Sequence, residues 1–110
     1  MRAEALKGHL DGLLLASLEA GPRHGYAIME VLRAGSDGRV DLPTGTIYPA
    51  LHRLERAGLV KASWSQAGGR RRRVYRLTAA GRRALAEQRS SWREFSTTVT
   101  TLLGARPATS

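Results

Sequence analysis

A chain of 110 residues makes one small domain and is too short for two. It has no cysteine, which excludes disulfides and thiolate metal sites and fits a reducing compartment, and no apolar run nears the roughly 20 residues that cross a bilayer. The net charge of +9 is one-sided: residues 1–41 carry five basic and six acidic side chains, residues 42–110 thirteen and three. That lopsidedness is the electrostatic footprint of a polyanion-binding surface. Heavy arginine usage, 16 of the 18 basic residues, does not explain it.

Leu6, Leu10, Leu13, Leu14 and Leu18 recur at three- and four-residue steps and predict a helix over 4–20, stopped by Gly21-Pro22. Glu4, Asp11 and Glu19 inside that pattern exclude the apolar centre of a signal peptide. A second helix is predicted over 25–34, with Ile28, Val31 and Leu32 inward and Gly35 at its end. Thr44 is read as the cap of a third helix over 45–57. Its inward stripe is Ile47, Leu51 and Leu54, and Gly45, Tyr48, Pro49, His52, Arg53 and Arg56 face away.

Two strand-like segments follow, 59–65 and 71–77, joined by "QAGG", which suits a hairpin turn. Val60, Ala62 and Trp64 alternate with polar residues in the first. In the second, Val74 and Arg76 share one face, and Arg73, Tyr75 and Leu77 the other. Thr78 opens a last helix running to about residue 103, with an a/d seam of Leu85, Gln88, Trp92, Phe95, Val99 and Leu102. At 1.5 Å per residue its length is roughly 39 Å, more than three short helices and a hairpin can cover. It therefore reads as a dimerisation helix. The expected division is 1–77 as the DNA-binding body, with the first helix shared with the dimer interface, 78–103 as the dimerisation helix, and 104–110 as a disordered tail.

The order helix, helix, helix, hairpin, helix describes a mostly α, α+β fold: a winged helix-turn-helix with a long C-terminal helix. A recognition helix enters the major groove by its N-terminal half. That places Thr44, Gly45, Thr46, Tyr48, His52 and Arg53 toward DNA. Arg70, Arg71, Arg72 and Arg73 lie on the wing, where a guanidinium suits phosphate. They alternate in direction on a strand. The expectation is Arg70 and Arg72 toward the groove, with Arg71 and Arg73 on phosphates or on the protein body.

"HGYAIMEVL", "LPTGTIYPALHRLERAGLV" and "GGRRRRVYRLTAAGRRAL" resemble the signature blocks of PadR-type transcriptional regulators, across residues 9 to about 103. The single C-terminal helix resembles the compact second subfamily. The resemblance implies a homodimer that represses transcription from a palindromic operator on double-stranded DNA, with Tyr26 on a phosphate. Trp92 resembles a tryptophan that stacks planar aromatic compounds between the two subunits of multidrug-sensing members. Gln88, Phe95 and Asp11 would join it. Leu6, Leu10, Leu85, Trp92, Phe95, Val99 and Leu102 are the expected dimer contacts. A bacterial, cytoplasmic, nucleoid-associated protein with no cofactor and no membrane partner is implied.

Plainer readings stand beside these. Trp92 is equally an ordinary packing residue of a dimer without ligand sensing, and Tyr48 and Trp64 can pack against the wing or core. His9, His24 and His52 are scattered and make no metal site. Neither the carboxylates nor Ser90 and Ser91 form a catalytic group, so no enzyme is expected. A winged-helix module that binds an acidic protein is the remaining alternative.

Overall fold

The structure is a computed structural model that describes Leu6 and residues 8–104. Its elements in chain order are α1 (Leu10–Ser17), β1 (Arg23–His24), α2 (Gly25–Gly35), α3 (Thr44–Arg56), β2 (Val60–Ser65), β3 (Arg72–Leu77) and α4 (Ala79–Leu103). The predicted class is correct: a mostly helical α+β fold with a small antiparallel sheet and a long last helix.

α1 is shorter than the 4–20 expected. Gly8 sits at φ +88°, where an L side chain is strained, so the chain turns there before the helix starts. Leu6 lies ahead of this break yet is buried in the core. Residues 4, 5 and 7 of the predicted helix lie outside the described residues. At the other end, i→i+3 bonds from the Leu18 and Glu19 amides to Leu15 and Ala16 tighten the chain out of the helix. α2 matches its prediction within a residue.

α3 starts one residue earlier than read, and Thr44 is not its cap. The cap position is Pro43, extended at φ −74° and ψ 161°, with no side-chain cap bond. Its carbonyl accepts from the amides of Thr46 (2.9 Å) and Ile47 (3.1 Å). Proline preorganises this entry through its fixed φ. Ile47, Ala50, Leu51 and Leu54 are buried at helical spacing. With Leu14, Leu15 and Leu18 of the α1 region, Ile28 of α2, and Val60, Tyr75 and Leu77 of the sheet, they form one core.

The sheet has three strands in the order β1-β3-β2. A two-residue strand is too short for alternation to reveal, and β1 was not foreseen. It pairs Arg23 with Tyr75 and His24 with Val74. On the other side Val60 faces Leu77, Ala62 faces Tyr75, Trp64 faces Arg73 and Ser65 faces Arg72. β3 is therefore paired along both edges at its middle. Arg70 and Arg71 precede the strand and belong to the tip, where Gly68 (φ +70°) and Gly69 (φ +75°) supply the left-handed backbone of the turn.

α4 is joined to the hairpin at its first turn. The Thr78 hydroxyl accepts from the Gly81 amide (3.0 Å) and donates to the Gly58 carbonyl (2.6 Å). A Cβ on Gly81 would lie 2.0 Å from the Leu59 carbonyl oxygen, so only glycine fits. Among the described residues no helix is long and apolar enough to cross a membrane. Gly104 ends α4 in the left-handed conformation, and residues 105–110 of the expected tail lie outside the described residues. Gly81→Ala is expected to destabilise the fold by about 3 kcal/mol, since backbone cannot move aside as a side chain can; urea unfolding of the variant measures this.

Candidate nucleic-acid interface

α3 buries one stripe and leaves Thr44, Gly45, Pro49, His52, Arg53 and Arg56 exposed on the opposite side. Thr46 is half-buried. Tyr48, expected to face DNA, is half-buried and packs against Gly25, where a Cβ would lie 2.5 Å from its hydroxyl oxygen. Its ring thus occupies the space left by the first residue of α2. Tyr26, one residue on, is largely exposed.

The hairpin register sorts the four arginines. Cross-strand partners share a face, so Leu77, Tyr75 and Arg73 form one line and point the same way as Val60, Ala62 and Trp64. This line starts in the core and runs out to solvent at Trp64, which is 53% exposed. The Arg71 guanidinium lies 4.3 Å from the Trp64 ring centroid, and that of Arg73 lies 5.5 Å away. Arg73 also donates to Glu55 of α3 (2.9 Å). Its Nε is buried without an acceptor, which nothing in the structure explains.

Arg72 points to the other face, where β1 brings His24 alongside Val74. One of its terminal nitrogens lies 2.9 Å from His24 Nε2. His24 caps α2, its Nδ1 accepting from the Ala27 amide at 3.3 Å. Arginine only donates, and a neutral imidazole has one acceptor nitrogen. A neutral His24 therefore cannot accept from both Arg72 and the cap at once. Arg70 is exposed at the tip. Arg53, outward on α3, pairs with Asp11 of α1.

The residues expected around a ligand are only partly brought together. A cavity of about 430 Å³ opens between α1 and α4, lined among others by His9, Leu13, Val40, Leu85, Gln88 and Trp92. The walls approach closely at Gly12, where a Cβ would lie 3.2 Å from Gln88 Oε1. His9 meets the Trp92 ring edge-on at 5.1 Å, a contact the sequence did not suggest. Phe95 lies 5.9 Å beyond Trp92 and outside the lining, and Asp11 is turned to Arg53 instead. Of the expected dimer contacts, Leu6 and Leu85 are buried and Leu10 packs against the core. Trp92 (52%), Phe95 (57%) and Leu102 (80%) are exposed apolar surface on α4. Val99 is half-buried. No group of His, Asp and Glu among the described residues could hold a metal ion.

At the cavity's edge Arg89 of α4 grips Glu19 with two bonds of 2.7 Å. The paired guanidinium holds the Glu19 carboxyl below its ordinary value, and the carboxylate raises Arg89 in turn. Burial pushes the Tyr75 phenol up.

A family model described as the transcriptional regulator PadR-like family matches residues 14–87. A transcriptional regulator from Mycobacterium tuberculosis is 42% identical over 73 residues, covering 66% of this chain and 55% of that protein. A solved transcriptional regulator from Clostridium thermocellum superposes with a TM-score of 0.82 at 26% identity, covering 89% of this chain and 96% of the other. A PadR family regulator from Clostridium difficile gives a TM-score of 0.78 at 33% identity, covering 87% and 99%.

A group whose carboxyl is lowered in the fold adds stability above the ordinary value of 4.5, and that stability is lost as pH falls through the lowered value. Urea midpoints compared at pH 6 and pH 3 are therefore expected to fall less in Glu19→Gln than in the wild type.

Proposed function

The chain belongs to the transcriptional regulator PadR-like family, a family of DNA-binding winged-helix regulators and not of enzymes, and we propose that it acts as a homodimeric repressor on a palindromic operator. The observation that carries this reading is the adjacency of two unlike surfaces. The exposed face of α3 offers His52, Arg53 and Thr44, groups that suit base edges and phosphate. Beside it the wing carries Arg70 to Arg73, which suit the backbone. Most of the positive excess of residues 42–110 falls on this same part of the chain.

The exposed apolar side chains of α4 support dimerisation: Trp92, Phe95 and Leu102 lie on one seam at three- and four-residue steps, with Val99 between. Two recognition helices related by a twofold axis would read two half-sites about one helical turn apart. The cavity against Trp92 supports modulation by a planar aromatic compound, with Gln88 as its polar neighbour. A second reading, favoured by the His9 and Phe95 rings already packed on Trp92, makes that tryptophan part of a dimer that senses nothing.

Titration of the full-length protein against an operator selected from a random pool, and against random duplex, separates the roles over a salt series. Arg71→Ala and Arg72→Ala are expected to weaken both alike and to reduce the salt slope by about one each. His52→Ala is expected to remove about 1–3 kcal/mol of discrimination at particular bases while sparing random duplex. A loss of function that is the same for wing and helix variants on both DNAs contradicts the assignment. For the ligand, Trp64→Phe leaves Trp92 as the sole indole. Its fluorescence is expected to be quenched by planar aromatic dyes, and no quenching across a broad panel favours the second reading.

A further inference from the structure

We infer that Asp11 sets the DNA affinity of this protein by standing in for a phosphate at Arg53 when DNA is absent. The inference rests on the reading of α3 as the DNA-facing helix. Asp11 and Arg53 are 42 residues apart in sequence and belong to different helices, yet the guanidinium donates to the Asp11 carboxylate. Asp11 is in the first turn of α1, and Arg53 lies on the outward face of α3 beside His52. Both side chains stay about half exposed, so the pair is open to an incoming anion.

The chemistry of the exchange is symmetrical. A carboxylate and a phosphodiester oxygen both accept from a guanidinium, and Arg53 has donors in one planar fork. While Arg53 serves Asp11, a phosphate or base edge has to displace that carboxylate to reach it. The freed Asp11 then faces a polyanion. Both effects lower affinity for DNA. An exposed pair of this kind contributes little to stability, so the exchange is not blocked. The sign differs from a supporting role: a carboxylate that merely aimed Arg53 at DNA would raise affinity.

The test uses full-length wild type, Asp11→Asn, Arg53→Gln and the double variant, with a labelled random-sequence 30-base-pair duplex as probe at several salt concentrations. Asp11→Asn is expected to bind about two- to fivefold tighter, the range of an exposed ion pair. That gain is expected to disappear in the Arg53→Gln background, because Asp11 acts through Arg53. Asp11→Glu, which keeps the carboxylate, is expected to return affinity to near the wild-type value. Circular dichroism and thermal midpoints confirm that each variant is folded, and Asp11→Ser replaces Asp11→Asn if the latter is not. An equal gain with and without Arg53 overturns the inference, since it would reflect overall charge alone. Weaker or unchanged binding by a folded Asp11→Asn overturns it too. If the wild type binds no duplex at all, it is the DNA-binding reading that fails.

Discussion

The wing side chains of the proposed DNA surface take their direction from the register of β3. This six-residue strand is the centre of the sheet, paired with β1 on one edge and β2 on the other. Tyr75, only 1% exposed, locks it. It faces Ala62 across one edge and Arg23 across the other, within the common core. A shift of one residue would bring Arg76 into the core and turn Tyr75 to solvent. The core thereby dictates which way Arg72 and Arg73 point, and, through the strand's continuation, where Arg71 meets Trp64. The same strand delivers Thr78 to the Gly58 carbonyl, so the orientation of α4 follows from it as well.

Three arginines of the wing and of α3 lie against groups contributed by other elements. Arg53 lies on Asp11 of α1, Arg73 on Glu55 of α3, and Arg72 on His24 at the start of α2. Arg71 stacks on Trp64. The exposed Arg53–Asp11 pair is worth about 0–1 kcal/mol. A polyanion brings many phosphates at once, with release of the counterions condensed on it. The balance therefore favours DNA without large rearrangement. α1 occupies an unusual place in this scheme. One side of it holds Asp11 against α3, while His9, Gly12 and Leu13 line the cavity shared with α4.

Much of this was legible in the residues, for definite physical reasons. The buried stripes of α2 and α3 repeat at helical spacing, and the paired strands alternate, so the elements and their inner faces follow from periodicity. The tip glycines and the length of α4 were equally plain. Local breaks were not. Gly8 interrupts a leucine pattern that reads on through it, because periodicity records burial and Leu6 is buried either way. Thr44 looked like a cap by residue type, whereas the backbone of Pro43 makes the entry. Tyr48 was assigned outward by helix phase. It is half-buried, with its hydroxyl end in the space that Gly25, far away in sequence, leaves open. Contacts between distant elements, such as Asp11 with Arg53 and His24 with Arg72, have no sequence signal short of the fold itself.

As proposed, the protein is a twofold dimer whose two α3 helices enter successive major grooves. Hydroxyl-radical footprinting on duplexes that the protein itself enriches from a random pool tests this directly. The prediction is two protected patches of inverted sequence, with centres separated by one helical turn, about 10 base pairs, or a multiple of it. A single unpaired patch, or enrichment of no common sequence, contradicts it.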